Sequence, residues 1–166
     1  MAFKLRNTKS LSLQQGLAVI EFTIMLPFIL LVALAFTEAG RALYQYNTLS
    51  KAVHDGVRYL SDKVIDGSGQ LNISTDLENN TKNLVIYGDI NGGTALLPTS
   101  SPSSIPTVTV TSLSLYMDGD PPGIGDNHVK VTATYTFSPL FSLGGLGYQR
   151  IIPQFNVSAV ERALRI

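Results

Sequence analysis

The sequence predicts an α+β protein: a long N-terminal helix packed on a small antiparallel sheet of three to four strands. Three observations lead there. Residues 16–36, GLAVIEFTIMLPFILLVALAF, form a nearly continuous apolar run, and roughly 20 such residues cross the hydrocarbon core of a bilayer as a helix. Beyond it, Leu43, Tyr46, Leu49, Val53, Val57 and Leu60 recur at spacings of three and four, the mark of one apolar helical face. The period then changes to two. Val129, Val131, Ala133, Tyr135 and Phe137 alternate with Lys130, Thr132, Thr134 and Thr136, as in a strand with one buried face.

Taken in order, residues 1–15 are a short basic and polar leader. Lys4, Arg6 and Lys9 all precede Gly16, and no acid does. The positive-inside rule then places the N-terminus in the cytoplasm and the rest of the chain across the membrane. The apolar run and the amphipathic stretch join into one helix over residues 17–62, of which 17–36 span the bilayer. At 1.5 Å per residue that helix is about 70 Å long, more than a bilayer needs. Arg41, Gln45, Lys51, Asp55, Arg58 and Asp62 fill its polar positions. Gly40 and Gly56 weaken it by about 1 kcal/mol each unless a neighbour packs close.

Asp66-Gly67-Ser68-Gly69 ends the helix, and residues 63–166 form the extracytoplasmic sheet domain. Its strand readings begin at Asn83–Gly88, NLVIYG, a short apolar run closed by turn residues. Gly92 to Pro106, rich in glycine, proline and serine, reads as a surface loop. In Thr107–Met117 the apolar positions pass from Val108 and Val110 to Leu113, Leu115 and Met117, a change of phase that predicts a bulge near Thr111–Ser112. Asp118–Asn127 is a turn, residues 138–147 are loop, and Gln149–Ala163 is a last strand interrupted at Pro153.

Composition excludes several classes. The chain has no cysteine, so a disulfide framework, a lipobox anchor and a thiolate metal site are all excluded. The basic residues after Gly16 are scattered and form no stripe, which argues against nucleic acid as a partner. Asp118, Asp120 and Asp126 suggest oxygen ligands for calcium, but the EF-hand spacing is missing and Pro121-Pro122 interrupts the loop. They read as a polar turn. His54 and His128 fall on separate elements without a matching third group, so the sequence predicts no catalytic centre and no cofactor.

Two residues in the apolar run are not those of a plain anchor. Glu21 places a carboxylate where a charge is expensive unless paired. Pro27 removes one intrahelical hydrogen bond and predicts a kink. Further on, Glu38 and Arg41 stand three apart, a spacing at which they pair within the helix or instead bridge neighbouring subunits. A secretory signal peptide is a competing reading, because Ala33-Leu34-Ala35 has the small-x-small pattern of a cleavage site. Glu21 and the length of the apolar run weigh against it.

A glycine, then Leu17, then Glu21 inside an apolar helix behind a basic leader resembles the processing signature of type IV pilins. Residues 16–60, with Val19-Ile20-Glu21-Phe22, Leu26-Pro27, Glu38-x-Gly40-Arg41-x-Leu43-Tyr44 and Gly56-x-Arg58-Tyr59, resemble more narrowly the TadE-like minor pilins, or pseudopilins, of the Flp (Tad) pilus system. Residues 83–88 and 129–140 and the closing SAVERALR are also similar. TadE and TadF types share these features; the longer TadG type has a further domain for which this chain has no room.

The resemblance implies that a prepilin peptidase cuts between Gly16 and Leu17, removing residues 1–16. It implies that Glu21 then pairs with the new N-terminal amine of a neighbouring subunit. The expected partners are a major Flp-like pilin, other minor pilins, the peptidase, the inner-membrane assembly platform and the bilayer. The expected location is the inner membrane, single-pass, and then the pilus at the cell surface. In this reading the protein is a peptidase substrate and not an enzyme. The rival class is a membrane-anchored or secreted periplasmic binding domain, for which Glu21 has no use.

Overall fold

The computed structural model describes residues 9–65, 71–99, 105–115, 126–139 and 154–163. Five elements follow one another: α1 (Lys9–Lys63), α2 (Thr75–Tyr87), β1 (Thr107–Leu115), β2 (Asp126–Thr136) and β3 (Gln154–Arg162). The chain divides into two compact units, Met1–Gly40 and Arg41–Ile166, and α1 runs through both. The expected architecture, a long helix with a small antiparallel sheet, is the one found, with a short second helix added. The leader up to Thr8, the Asp66–Gly69 stop, Asp118, Asp120 and Pro153 lie outside the described residues.

α1 begins ahead of the expected Leu17 and ends within a residue of the expected Asp62. It continues through Pro27. Proline has no N–H, so the Thr23 carbonyl loses its usual partner four residues on, and the ladder thins by one bond without ending. From Arg41 onward the helix has one buried stripe, Leu49, Val53, Val57 and Leu60, as the spacing predicts. Each such side chain contributes about 1.5–3 kcal/mol when fully buried. The stripe is shorter than expected at its start, because Leu43 is 64% exposed and Tyr46 43% exposed. Gln45, read from the sequence as an outward polar position, is buried at 3% exposure. It stands one turn before Leu49 and so shares its face.

The Asn83–Gly88 run is not a strand. It is the last turns of α2, and the signals that decide this lie upstream of the hexapeptide. Ser74 caps the helix with its hydroxyl oxygen, which accepts from the Leu77 N–H at 3.2 Å. Asp76 and Glu78 in the first turn complement the helix dipole. Leu77, Thr81 and Val85, spaced by four, are the buried residues. Gly88, at φ 75°, closes the helix in the left-handed region, its N–H donating to the Leu84 carbonyl at 2.9 Å. Gly56 of α1 faces this helix: a Cβ at position 56 would stand 2.5 Å from Val85 Cγ2. Here the glycine permits a close helix–helix approach.

Among the described residues the sheet has three strands in the order β1-β2-β3, both pairs antiparallel. The β1–β2 register runs unbroken from Thr107↔Thr134 to Leu115↔Asp126, so the expected bulge at Thr111–Ser112 is absent. The change of phase has a simpler cause. Strict alternation puts Leu113 on the face of Thr109 and Thr111, opposite Val108 and Val110. Rows cross the core face as Val108–Ala133–Val157 and Val110–Val131–Ala159. These residues share one core with Leu49, Val53, Val57 and Leu60 of α1, with Val64 just beyond it, and with Leu77 and Val85 of α2. The Gly92–Pro106 stretch is not wholly surface either, since Leu97 and Pro106 are buried. The carbonyl of Pro98 accepts a hydrogen bond from the Tyr135 hydroxyl at 3.0 Å. Burial raises the pKa of that phenol and the charge of Arg41 opposes the rise.

Candidate functional site

The feature that folding leaves unexplained is the first part of α1. Gly16 to Ala33 are exposed at every position around the helix, among them Leu17, Ile20, Phe22, Phe28 and Ile29. A helix apolar all round is a membrane span or the interior of a larger assembly. Its hydroxyls are prepared for such surroundings. Thr23 Oγ1 donates to the Val19 carbonyl at 2.8 Å and Thr37 Oγ1 to the Ala33 carbonyl at 2.9 Å, so neither hydroxyl needs water.

Glu21 is the exception in this surface. It is exposed among apolar neighbours, and no hydrogen bond or ion pair to it is found among the described residues. In water such a carboxylate is merely solvated. In hydrocarbon or a dry bundle it needs a cation within a few ångströms. Leu17 stands one helical turn before Glu21, about 6 Å along the axis. Gly16 and Leu17 are both exposed and helical in the uncut chain.

Glu38 and Arg41 occupy the same helix, three positions apart. The Arg41 guanidinium lies over the Phe137 ring, 5.6 Å from its centroid, a cation–π contact that sequence spacing does not reveal. Phe137 belongs to an aromatic group: Phe155 of β3 lies 5.8 Å from it, 6.2 Å from Tyr135 and, edge-on, 5.9 Å from Tyr46. Arg41 is therefore fitted to the sheet as well as to its helix.

Asp55, Arg58, Tyr59, Asp62 and Glu161 line an open groove of about 560 Å³. Among the described residues no group of three or more His, Asp or Glu side chains is placed to hold a metal ion. His54 lies exposed on α1 and His128 half-buried on β2.

The exposed apolar surface, Glu21, Pro27, Glu38 and Arg41 all fall in one stretch, residues 16–58, which matches the model of the TadE-like protein family. Over this stretch the chain is similar to that family. Neither the curated proteins nor the solved structures give a match. The TadE-like segment starts at Gly16 and ends at Arg58, so α2 and the sheet lie outside it. It is consistent with a pilin-related protein of the Tad system. Among the described residues one apolar helix near the N-terminus, long enough to cross a bilayer and unburied over its most apolar window, is consistent with a membrane anchor.

Proposed function

We propose that this protein is a minor pilin, or pseudopilin, of a Tad-type pilus, a structural and assembly subunit rather than an enzyme. One observation supports this above the rest: Glu21 is the lone carboxylate in the part of α1 from Gly16 to Ala33, which is otherwise almost wholly apolar and exposed all round. An anchor that only held a domain at the membrane would carry that charge at a loss of a few kcal/mol. An assembling helix has a use for it. A peptidase that cuts between Gly16 and Leu17 frees an α-amine, and that amine on a neighbouring subunit is the cation Glu21 lacks.

The protein enters the inner membrane with its basic N-terminus inside and its sheet domain outside. It is cut on the cytoplasmic side and leaves the bilayer with other pilins, a major Flp-like pilin among them, through the inner-membrane assembly platform. Helices inside lipid gain little hydrophobic drive from one another, so van der Waals contact and the Glu21 pairing set register. The test is Glu21→Ala in the native host. The variant should still insert and still be cut, but should not enter fibres or co-purify with other pilins. Normal piliation and co-purification would remove the assembly role given to Glu21.

A further inference from the structure

Within the unit that begins at Arg41, the outward face of α1 carries a stripe of charge that folding does not use. Lys51, Asp55, Arg58 and Asp62 alternate in sign at spacings of four, three and four, and all four are exposed. At about 100° per residue they fall within a sector of about 60° on the helix surface. These are spacings at which opposite charges pair within one helix. Yet among the described residues none of the four is in an ion pair, whereas Glu78 and Lys82 of α2, four apart, meet at 2.6 Å.

The pattern decides what the stripe can meet. Its signs repeat every seven residues, with Lys51 and Arg58 basic and Asp55 and Asp62 acidic. Two copies that point the same way and stand level set each charge against its like. Displaced by one helical turn, about 6 Å, Lys51 of one copy meets Asp55 of the next, Asp55 meets Arg58 and Arg58 meets Asp62. The receiving face is already shaped for this, because Asp55, Arg58 and Asp62 line the open groove together with Tyr59 and Glu161. Three carboxylates to one guanidinium leave that groove with acid to spare for an incoming lysine. Each exposed pair is weak alone. Three in series, with repulsion when the copies stand level, select an arrangement more than they strengthen it.

We propose that this stripe sets the axial register between neighbouring copies of the chain in the fibre. The copies are parallel and displaced by about one helical turn, with Lys51, Asp55 and Arg58 of one seated along the acidic groove of the next. The occupant of the groove is a second copy of this chain. The proposal rests on the assembly reading above, which supplies subunits that point the same way.

The chain contains no cysteine, so introduced thiols are the only ones present. Tyr44 and Thr48, exposed and half-buried, lie ahead of the charges in the same helix and are one turn apart. Fibres are sheared from a native host that makes Tyr44→Cys and Thr48→Cys together, or either alone, and are mildly oxidised. The disulfide-linked dimer is read per subunit recovered. It should be several-fold more abundant from the two variants together than from either alone. Lys51→Glu added to both should reduce it several-fold, and reversal of the whole stripe in both (K51E, D55K, R58E, D62K) should restore it. Dimer from Tyr44→Cys alone that equals the mixture would overturn the displacement, because the copies would stand level. Little dimer from the mixture in fibres that contain the protein would overturn the register and leave the assembly reading in place. So would a dimer that Lys51→Glu does not reduce, or one that the reversed stripe does not restore. Absence of the wild-type protein from the fibres would remove the assembly reading and the register with it.

Discussion

The two halves of α1 share a backbone conformation and differ in everything else. From Leu17 to Ala33 the large apolar side chains are exposed on all sides; from Leu49 to Leu60 they gather into one buried stripe. The same contrast appears in the two glycines of these regions. Gly56 has an internal reason, since a Cβ there would meet Val85 at 2.5 Å, whereas Gly40 has nothing within 4 Å of where its Cβ would stand. One half of the helix is explained by the fold it belongs to. The other makes physical sense only against lipid or another chain, and that is where Glu21 stands.

This contrast can be broken or sharpened by substitution. The largest effect is expected from Leu60→Ala, which empties a fully buried site and should destabilise the sheet domain by about 2–5 kcal/mol. Leu30→Ala, in the exposed half, should leave the stability of that domain unchanged. Urea unfolding in detergent, followed by far-UV circular dichroism, compares the two, and equal losses would mean that the halves are not distinct. Gly56→Ala comes next, with a loss of about 1–3 kcal/mol from the clash with Val85. Gly40→Ala should be neutral or stabilise the isolated subunit by up to about 1 kcal/mol. A matching loss at both glycines, read by the same unfolding curves, would contradict the distinction drawn from their surroundings.

The smallest effect is expected at Gln45, whose Oε1 is buried with no hydrogen-bond partner among the described residues. Gln45→Leu replaces that acceptor with apolar volume on a face already apolar and should stabilise the domain by about 1 kcal/mol. A clear loss of stability would show that the amide has a partner that matters, in the folded subunit or beyond it.

Much of this is legible in the sequence, for identifiable reasons. The buried stripe at Leu49, Val53, Val57 and Leu60 and the alternation from Val129 to Phe137 are long periodic signals, and long periodic signals survive tertiary context. α2 escapes a reading by composition because NLVIYG, taken alone, has the make-up of a strand. The helix is specified by Ser74, Asp76, Glu78 and Gly88, capping and dipole signals outside the apolar core of the segment. The bulge expectation rests on hydrophobicity that changes side, but a strand with unlike residues on both faces does this without breaking register. The burial of Gln45 and the Arg41–Phe137 contact are illegible because each depends on what lies across the core, and spacing along one helix cannot carry that. The candidate site is legible for the opposite reason. Gly16, Leu17, Glu21 and Pro27 form a local pattern in a single helix, and their meaning does not depend on the sheet.

The measurement that tests the central claim most directly is the intact mass and N-terminal sequence of the protein purified from its native host. The assembly account predicts a chain that begins at Leu17, with the basic leader gone and a free amine one turn from Glu21. A chain that begins at Phe36 would contradict it, because Glu21 would then be absent from the mature protein. A chain that keeps residues 1–16 would contradict it as well, because the cation proposed for Glu21 would never be made.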